Sequence, residues 1–450
     1  MTKLYRARWV LPISSAPVAN GAIVVDGDRI VAVGEQTELS ARFPDAQSYD
    51  LGEAAIIPGL VNTHSHLELT AMRGFIEAEE SNFIAWLRKL TTARLERLTV
   101  DDLHVSASWG AREAARAGVT CVGDASDSAS QSMKALRDVG LRGIVFQESF
   151  GPEPAFAAQR LDELKTKVAA LRALETSLVT AGVSPHAPYT VSARQLELIS
   201  DYARSEKLPV MMHAAESQAE ELLLREGRGP FADSYAKRGI PWTAPAISSI
   251  QYLARHGILE TQPLLAHCIT VDEADLQTIL ASGAGIAHCP KSNAKLGHGR
   301  APFEKFLNAG VAVGLGSDSV ASNNVCDLLE EARFAVLSAR AGSVSAKGPA
   351  AEDGLRAATA GGARAMRLAD RIGTLEPGRQ ADFAAVSLSG AHQQPVYDPY
   401  AALIFASSAR DVILTVVAGR EIYRDGRVTT IDEERLAARM NEIAEKLRGL

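Results

Sequence analysis

The segment VNTHSH at residues 61–66 ends an apolar run on two histidines, and seven later apolar runs also end on polar side chains. These runs are VTCVGD (119–124), GIVFQE (143–148), AGVSPH (181–186), PVMMHAAE (209–216), PLLAHC (263–268), AGIAHC (284–289) and VAVGLGSD (311–318). Helical stretches such as 101–118, 155–174 and 192–207 alternate with them. Eight strands alternating with helices predict an α/β fold of the (β/α)8 barrel type, whose active sites lie at the carboxyl ends of the strands.

Both ends of the chain contain short β-type runs around turn signals. Near the start, Asp26-Gly27-Asp28 divides GAIVVDGDRIVAVGE at 21–35 into two strand-like halves. Near the end, FAAVSL at 383–388 is followed by VILTVVAGREIYRDGRV at 412–428, which contains the turn Asp425-Gly426. We expect the two ends to combine into one β domain, with a surface helix closing the chain.

The composition is that of a globular protein with a large core. The 450 residues are 46% hydrophobic and 22% charged, and the mean hydropathy is near zero. Lysine and arginine total 47 against 54 acidic residues, so the net charge of −7 lacks the basic surplus that nucleic-acid binding requires. The start shows no apolar leader with a cleavage site, and no run of about 18 apolar residues occurs. We therefore expect a cytoplasmic protein without nucleic-acid or membrane partners.

The four cysteines are widely spaced and form no CxxC pair; they are Cys121, Cys268, Cys289 and Cys326. This spacing predicts reduced, buried thiols rather than disulfides or a zinc finger. Because twofold dimers are the commonest closed assembly, we expect a homodimer or a higher homo-oligomer.

Six of the ten histidines lie at the predicted strand ends. His64 and His66 are two residues apart, and the alternation of a strand places both imidazoles on one side. The other candidates at strand ends are His186, His213, His267, His288 and Asp318. Histidine and carboxylate groups gathered at one end of a barrel favour a catalytic divalent metal site. The alternative for any single histidine is a structural role.

Glu216 follows His213 by three residues and is the candidate general acid/base, since a hydrolytic metal centre needs a proton carrier that is not a ligand. The alternatives are a solvated loop carboxylate or a carboxylate in the N-terminal turn of the next helix. The sequence contains no HExxH, Walker A or GxSxG motif, and no Pro-Cys-x-x-Cys pattern of the small zinc deaminases. GLGSDS at 314–319 lacks the spacing of a dinucleotide-binding loop.

Taken together, six segments resemble the amidohydrolase superfamily, and more narrowly its branch of cytosine deaminases, adenosine-type deaminases and triazine hydrolases. They are PGLVNTHSHLE (58–68), SPHAPYT (184–190), HAAE (213–216), LLAHC (264–268), HCPKSNAKLGHG (288–299) and GLGSDSVASNN (314–324). LEPGRQADF at 375–383 is also similar. The resemblance implies a distorted (β/α)8 barrel at 59–372, a small β-sandwich domain built from 1–58 and 373–430, and a C-terminal helix at 431–450.

The resemblance also implies a catalytic apparatus. It implies one divalent ion, zinc first with iron or manganese as alternatives, held by His64, His66, His213 and Asp318. His267 resembles the residue beside the metal-bound water, Glu216 the proton shuttle and His186 a substrate-contacting residue. A metal-activated water would attack an electron-poor ring carbon, Asp318 would accept its proton, and Glu216 would protonate the ring nitrogen and the departing ammonia.

For the substrate, HSHLELTAMRG (64–74), NFIAWLRKLTTAR (82–94) and the long connection 228–256 are similar to aminodeoxyfutalosine deaminases. Such a substrate carries a carboxylate, for which Arg73, Arg88 and Arg94 are candidate partners. Glu68 is a candidate for binding hydroxyls or an amine, and each of these four residues has a structural alternative.

Three alternatives stay open. In the similar adenosylhomocysteine and methylthioadenosine deaminases, an acidic residue that holds the ribose hydroxyls would fall at Leu95, next to Glu96. The same reaction centre also suits triazines, guanine or another aminated heterocycle. From a different class, a non-catalytic scaffold would retain the barrel without the chemistry.

Overall fold

The structure is a computed structural model that describes residues 1–80, 82–342 and 348–448. Its strands are β1 (Lys3–Val10), β2 (Val18–Asp26), β3 (Arg29–Glu35), β4 (Gln47–Asp50), β5 (Ala54–Pro58), β6 (Leu60–Ser65), β7 (Val119–Ser126), β8 (Arg142–Ser149), β9 (Val179–Pro185), β10 (Met211–Ala214), β11 (Leu264–His267), β12 (Gly285–His288), β13 (Ala312–Leu315), β14 (Phe383–Ser387), β15 (Val412–Val417), β16 (Arg420–Arg424) and β17 (Arg427–Val428).

The helices are α1 (Gln36–Arg42), α2 (Phe83–Arg97), α3 (Val100–Arg116), α4 (Ala129–Val139), α5 (Ala157–Arg172), α6 (Ala193–Glu206), α7 (Gln218–Glu226), α8 (Pro230–Lys237), α9 (Ser249–Arg255), α10 (Glu273–Ser282), α11 (Pro290–Lys295), α12 (Phe303–Asn308), α13 (Val320–Asn323), α14 (Leu328–Ala341), α15 (Ala351–Arg356), α16 (Gly362–Ala365), α17 (Pro399–Ala401) and α18 (Glu433–Arg448). Short 3-10 segments occupy Leu67–Met72, Glu77–Glu79, Pro154–Phe156, Ile258–Thr261 and Ala409–Asp411, and π segments occupy Ala357–Gly361 and Ala402–Ala406.

Eight parallel strands form the barrel in the order β10-β11-β12-β13-β6-β7-β8-β9. A parallel bridge between Val183 of β9 and Val210, just before β10, closes the ring. The barrel is distorted, because β13 and β6 share a single residue pair while β8 and β9 share seven. All eight strands predicted from the sequence are confirmed, and so is the barrel they imply.

The second sheet combines both ends of the chain in the order β17-β16-β15-β14-β5-β1-β2-β3, with β4 paired to β1. The hairpins turn at Asp26–Arg29 and Arg424–Arg427, where the Asp-Gly signals lie. Tyr5 of β1 packs against Phe383 of β14 with ring centroids 5.1 Å apart, so strands from the two ends share one apolar core. The sheet domain predicted from both termini is confirmed.

The junction between the two sheets is short and strongly tied. β5 runs into β6 through Gly59 alone, and a β-carbon at Gly59 would lie 2.1 Å from Thr120 Oγ1. Arg142 at the start of β8 reaches Asp382, the residue before β14, with Nε 2.8 Å from Oδ2. α18 returns to the barrel, where Lys446 Nζ lies 2.7 Å from Asp102 Oδ2 of α3.

The structure also tests the predicted helices and cysteines, but not the predicted domain boundaries. The three predicted helical stretches appear as α3, α5 and α6, and the 228–256 connection contains α8 and α9. The four cysteines are free and buried, as predicted. Within the described ranges, no helix is both long and apolar enough to cross a bilayer. The domain boundaries at 58, 372 and 430 stay predictions, and residues 81, 343–347 and 449–450 of the predicted segments lie outside the described residues.

Candidate metal centre

Five of the predicted site residues meet at the carboxyl end of the barrel. His64 lies in β6, His66 just after it, His213 in β10, His267 at the end of β11, and Asp318 three residues past β13. Their possible ligand atoms fall into two overlapping groups whose members all lie within 4.8 Å of one another: His64, His66 and His213, and His64, His267 and Asp318. His64 of β6, the first strand of the barrel, therefore belongs to both groups.

The distances between these atoms fit one shared ion. His66 Nε2 lies 3.3 Å from His213 Nε2, and His64 Nε2 lies 3.3 Å from Asp318 Oδ1. Two ligands at about 2.1 Å from a tetrahedral ion would be separated by about 3.4 Å. His64 Nε2 and His267 Nε2 are buried without a hydrogen-bond partner among the described residues. Buried nitrogens in this state leave lone pairs free for a cation, so the donor set fits a divalent metal.

Neighbouring groups fix the orientation of these ligands. His213 Nδ1 lies 2.8 Å from the His186 carbonyl oxygen, and His267 Nδ1 lies 2.8 Å from Asn293 Oδ1. Each contact places the proton on Nδ1 and leaves Nε2 free to face the cluster. Ser292 Oγ donates to Asp318 Oδ2 over 2.5 Å, which leaves Oδ1 for the cluster.

Burial and mutual charge favour the metal-binding protonation states of His64, His213 and Asp318. At His66, burial opposes protonation, but the charges of Glu148 and Asp318 raise its pKa. Burial lowers the pKa of His213 to about 4 and holds the pKa of His64 well below its usual range. Burial opposes ionisation of Asp318, but His64 Nε2 at 3.3 Å from its Oδ1 and the charge of His267 hold its pKa well below the usual range. Neutral imidazoles beside an ionised carboxylate are the forms that ligate a metal near neutral pH.

Glu216 lies beside this cluster as an ionisable group with a defined orientation. Its Oε1 lies 3.6 Å from His267 Nε2, and its Oε2 accepts a hydrogen bond from the Tyr189 hydroxyl over 2.7 Å. Burial opposes its ionisation, but the charges of His267 and His213 lower its pKa below the usual range. An ionised carboxylate at this position can accept a proton released at the cluster.

The cluster lies at the base of a cavity of about 650 Å3 that is lined by 29 residues, 13 of which are apolar or aromatic side chains other than histidine. α2 supplies one wall with Phe83 and Trp86, and α8 supplies another with Phe231 and Tyr235. The ring of Phe231 stacks on Tyr189 at 4.1 Å between centroids. The 228–256 connection, which contains α8, shapes the cavity, whose volume and apolar wall residues suit a compact heterocyclic ligand.

The predicted substrate contacts are only partly brought to this cavity. His186 and Arg88 line it, and His186 Nδ1 lies 2.9 Å from Thr190 Oγ1. Arg94 and Glu68 line it as well, but they form an ion pair with Nε 3.1 Å from Oε1. Arg73 pairs with Glu113 and is not among the lining residues.

Glu68 is fully occupied by protein donors. Besides Arg94, its oxygens accept the backbone N–H groups of Asp127 and Ser128 over 3.1 and 3.0 Å. The structural alternative for Glu68 therefore has the stronger support. Leu95 lines the cavity, but the adjacent acidic residue Glu96 does not.

Two further histidines differ in placement. His288 ends β12 but joins none of the ligand groups in the described chain; its ring stacks on Phe303 at 5.2 Å. His298 contacts Phe83 edge to face, with ring centroids 4.5 Å apart.

Sequence reasoning missed two residues near the centre, Tyr189 and Glu148. Tyr189 lies in SPHAPYT, three residues after His186, so its motif was a usable signal. Glu148 ends the third barrel strand, and burial raises its pKa to about 8. Its position at a strand end was visible in the sequence, although nothing there distinguished it from a solvated carboxylate.

Comparison with known proteins agrees with this geometry. Residues 55–422 match the amidohydrolase family, and residues 21–46 match an imidazolonepropionase-like composite domain of bacteria. The chain belongs to the amidohydrolase family. The match spans the whole barrel and all five clustered residues, so the family resemblance is confirmed. Deaminase relatives that cover nearly the whole chain fit the branch expected from the sequence.

Individual relatives cover nearly the full chain. A 5-methylthioadenosine/S-adenosylhomocysteine deaminase of Syntrophobacter fumaroxidans is 32% identical over 95% of this chain and 94% of its own. A zinc-bound adenosine deaminase of Xanthomonas campestris superposes with a TM-score of 0.89 at 28% identity, over 99% of this chain and 98% of its own. Zinc-bound atrazine chlorohydrolase of Arthrobacter aurescens shares the fold, with a TM-score of 0.84 at 24% identity over 98% and 99% of the two chains. The protein is thus a hydrolase of non-peptide C–N bonds that uses a single divalent metal ion, with zinc best supported.

Proposed function

We propose that the protein is a hydrolytic deaminase of adenine nucleosides with a 5′ substituent, of the methylthioadenosine and adenosylhomocysteine type. The observation that supports this most directly is the oriented, ionised Glu216 beside the histidine and aspartate cluster, at the base of an apolar cavity. Relatives named for that activity, such as the deaminase of Syntrophobacter fumaroxidans, match nearly the whole chain and favour it over the aminodeoxyfutalosine specificity expected from the sequence. The triazine hydrolases are similar only at the level of the fold.

The residues suited to hold the metal are His64, His66, His213 and Asp318, and the bound ion supplies a water acidified toward neutral pH. His267 Nε2 faces the same space and orients that water, because Asn293 fixes its ring from the other side. Asp318 keeps one oxygen free of the Ser292 hydrogen bond and can accept the first proton there. These residues fix the nucleophile without taking part in bonds to the substrate.

Glu216 completes the proton transfers. Its ionised carboxylate takes up one of the two protons of the water and delivers it to the ring nitrogen next to the carbon under attack, which makes that carbon more electrophilic. The other water proton, accepted by Asp318, then passes by way of Glu216 to the departing amino group. The net reaction consumes one water, replaces the amino group with a carbonyl oxygen and releases ammonia, so atoms and charge balance.

The cavity walls provide the ring-binding surface. Phe83, Trp86 and Phe231 offer faces on which a purine can stack. His186 lies between the cluster and the outer cavity, with its ring 4.6 Å from His213 and 4.7 Å from Phe150. Burial holds its pKa well below the usual range, so a neutral imidazole is available for a ring nitrogen.

The test is ammonia release by zinc-reconstituted protein on methylthioadenosine, adenosylhomocysteine, adenosine, aminodeoxyfutalosine, guanine and melamine. We expect the highest kcat/KM on a 5′-substituted adenine nucleoside. Glu216→Gln should reduce kcat by about a hundredfold or more, the range typical of general acid–base catalysis, while metal content stays at one ion per chain. A higher kcat/KM on aminodeoxyfutalosine, guanine or melamine, or full activity in Glu216→Gln, would contradict the proposal.

A further inference from the structure

Glu148 is a buried acidic side chain that the proposed chemistry does not use. It lies near the end of β8 and is only 6% exposed. Its Oε1 has no hydrogen-bond partner among the described residues. The nearest ring nitrogens, His66 Nδ1 and His186 Nε2, are each 4.0 Å from Oε1, which is beyond hydrogen-bond distance. An unsatisfied buried carboxyl group costs stability, so its retention in a cavity wall points to a ligand.

Glu148 also stands where two cavities adjoin. A second cavity of about 340 Å3 lies next to the reaction cavity. The two share five lining residues: Asp127, Glu148, Phe150, Pro152 and Arg238. A substituent that leaves the reaction cavity in this direction therefore passes beside the Glu148 carboxyl group.

The charges of the second cavity are balanced except at Glu148. Its three cationic residues are all ion-paired within the wall: Arg160 with Glu163 at 2.8 Å, Lys167 with Asp127 at 2.7 Å and Arg238 with Glu153 at 2.5 Å. Glu148 has no lysine or arginine within 4.0 Å in the described chain. The wall thus has one acidic group more than it has cations, and it offers no unpaired cation to an anionic substituent.

We propose that Glu148 is a specificity-determining residue that binds an alkylammonium group on the 5′ substituent of the substrate. The proposal rests on the proposed function, since it takes the substrate to be a 5′-substituted adenine nucleoside. Burial raises the pKa of Glu148 to about 8, and a cation beside its carboxyl group favours the ionised form. An ammonium group supplies that charge together with the hydrogen-bond donors that Glu148 Oε1 lacks. A substituent with only a carboxylate would instead meet ion-paired arginines and an excess acidic group.

The experiment compares two nucleosides that differ only in the charged group, 5′-(3-aminopropylthio)-5′-deoxyadenosine and 5′-propylthio-5′-deoxyadenosine. For each nucleoside, kcat/KM for ammonia release is measured on the wild-type protein. The Kd is measured by calorimetry on the zinc-loaded Glu216→Gln variant. The wild-type protein should prefer the amine in kcat/KM, and the Glu216→Gln variant in Kd, by about tenfold to a hundredfold, as expected for a hydrogen bond to a charged group. Glu148→Gln should abolish this preference in both readouts.

Two further variants separate a contact from a general effect. Glu148→Asp keeps the charge but withdraws it by one methylene, so it should retain part of the preference. Asp162→Asn removes one negative charge from the exposed outer side of α5, outside the cavity wall, and should leave the preference unchanged. Adenosine and 2′-deoxyadenosine form a second pair that reports on contacts to the sugar hydroxyls.

Several results would overturn the proposal. One is equal handling of the two thioethers by the wild-type protein, and this comparison holds even if Glu148→Gln does not fold. Another is a preference that survives in Glu148→Gln, and a third is a Glu148 effect confined to the 2′-hydroxyl pair. If neither thioether is deaminated, the proposed function fails, while the calorimetric comparison still decides whether Glu148 selects an ammonium group.

Discussion

The hydroxyl of Tyr189 is the one donor that fixes Glu216 Oε2 in the described structure. It also stabilises the ionised form of Glu216, because a donor to a carboxylate lowers the pKa of that carboxylate. Tyr189→Phe should therefore raise the pKa of Glu216. Since the base is lost at and below its pKa, the acidic limb of the kcat/KM profile should move to higher pH, and kcat should fall about tenfold, less than for loss of the base itself.

The pH profile of Tyr189→Phe is measured with the best nucleoside of the panel, beside Tyr400→Phe as a control far from the cavity. Metal content should be unchanged in both variants. An unshifted acidic limb in Tyr189→Phe would show that Tyr189 only packs against Phe231.

Ser292 orients the proposed metal ligand Asp318 through one carboxylate oxygen. Its Oγ donates to Asp318 Oδ2 over 2.5 Å, and Ser322 Oγ adds a second donor at 3.1 Å. Loss of a partner that orients a metal ligand typically weakens metal binding by about tenfold to a hundredfold. Ser292→Ala should therefore lose zinc to a competing chelator at a proportionally lower chelator concentration. Ser282→Ala, in which the lost hydroxyl caps a carbonyl in α10, should bind zinc like the wild type.

His267 shows where strand alternation stops being a reliable guide to side-chain direction. Ala266 and Ala287 pair across β11 and β12 and belong to the same inner cluster, so alternation directs the next residue of each strand outward. His288 follows this rule and packs on Phe303. His267 has a left-handed backbone with φ of 72°, which turns its ring back toward the metal ligands.

At the scale of elements, the sequence predicted the barrel strands and the proximity of the candidate ligand residues, but not the protein partners of the substrate-binding candidates. Apolar runs with polar ends are local features, so β6 to β13 could be read directly. Glu68 and Arg94 lie 26 positions apart and meet only when α2 packs over the barrel mouth. A charged residue near a motif gives no local sign of whether its partner will be protein or ligand.

α2 is held over the cavity by that buried interaction. Arg94 bonds to Glu68 and lies 3.1 Å from Asp127, with only 11% of the Arg94 side chain and 3% of the Glu68 side chain exposed. Removing one partner of a buried pair costs about 3–5 kcal/mol, because the other charge stays desolvated. Arg94→Met should lower the free energy of unfolding by that order and raise KM for every nucleoside, with a smaller effect on kcat.

The matched control is Lys89→Met on the same helix. Lys89 forms an ion pair with Glu79, and about 30% of each side chain is exposed. Such a pair contributes about 0–1 kcal/mol. Denaturant unfolding and steady-state kinetics check both variants. If Arg94→Met impairs only substrates that carry a carboxylate, Arg94 is a substrate contact and its role in docking α2 is minor.

For the whole molecule, one buried ion pair joins the barrel to the sheet built from the chain ends. Arg142 and Asp382 meet through two contacts of 2.8 and 3.1 Å, and their side chains are 2% and 1% exposed. Arg142→Met leaves Asp382 buried and unpaired, so the free energy of unfolding should fall by about 3–5 kcal/mol. Arg142→Met combined with Asp382→Leu removes both charges and should be less destabilised than Arg142→Met alone.

The control for Arg142→Met is Arg6→Met, which breaks an exposed ion pair with Asp50 inside the terminal sheet. It should cost no more than about 1 kcal/mol. Because Arg142 and Asp382 lie on different sheets, coincident unfolding of both sheets in Arg142→Met would show that they unfold as one unit. A separate early transition of the terminal sheet would show instead that this pair is what couples it to the barrel. A loss as small as that of Arg6→Met would show that the junction depends on β5, Gly59 and apolar packing rather than on the buried charges.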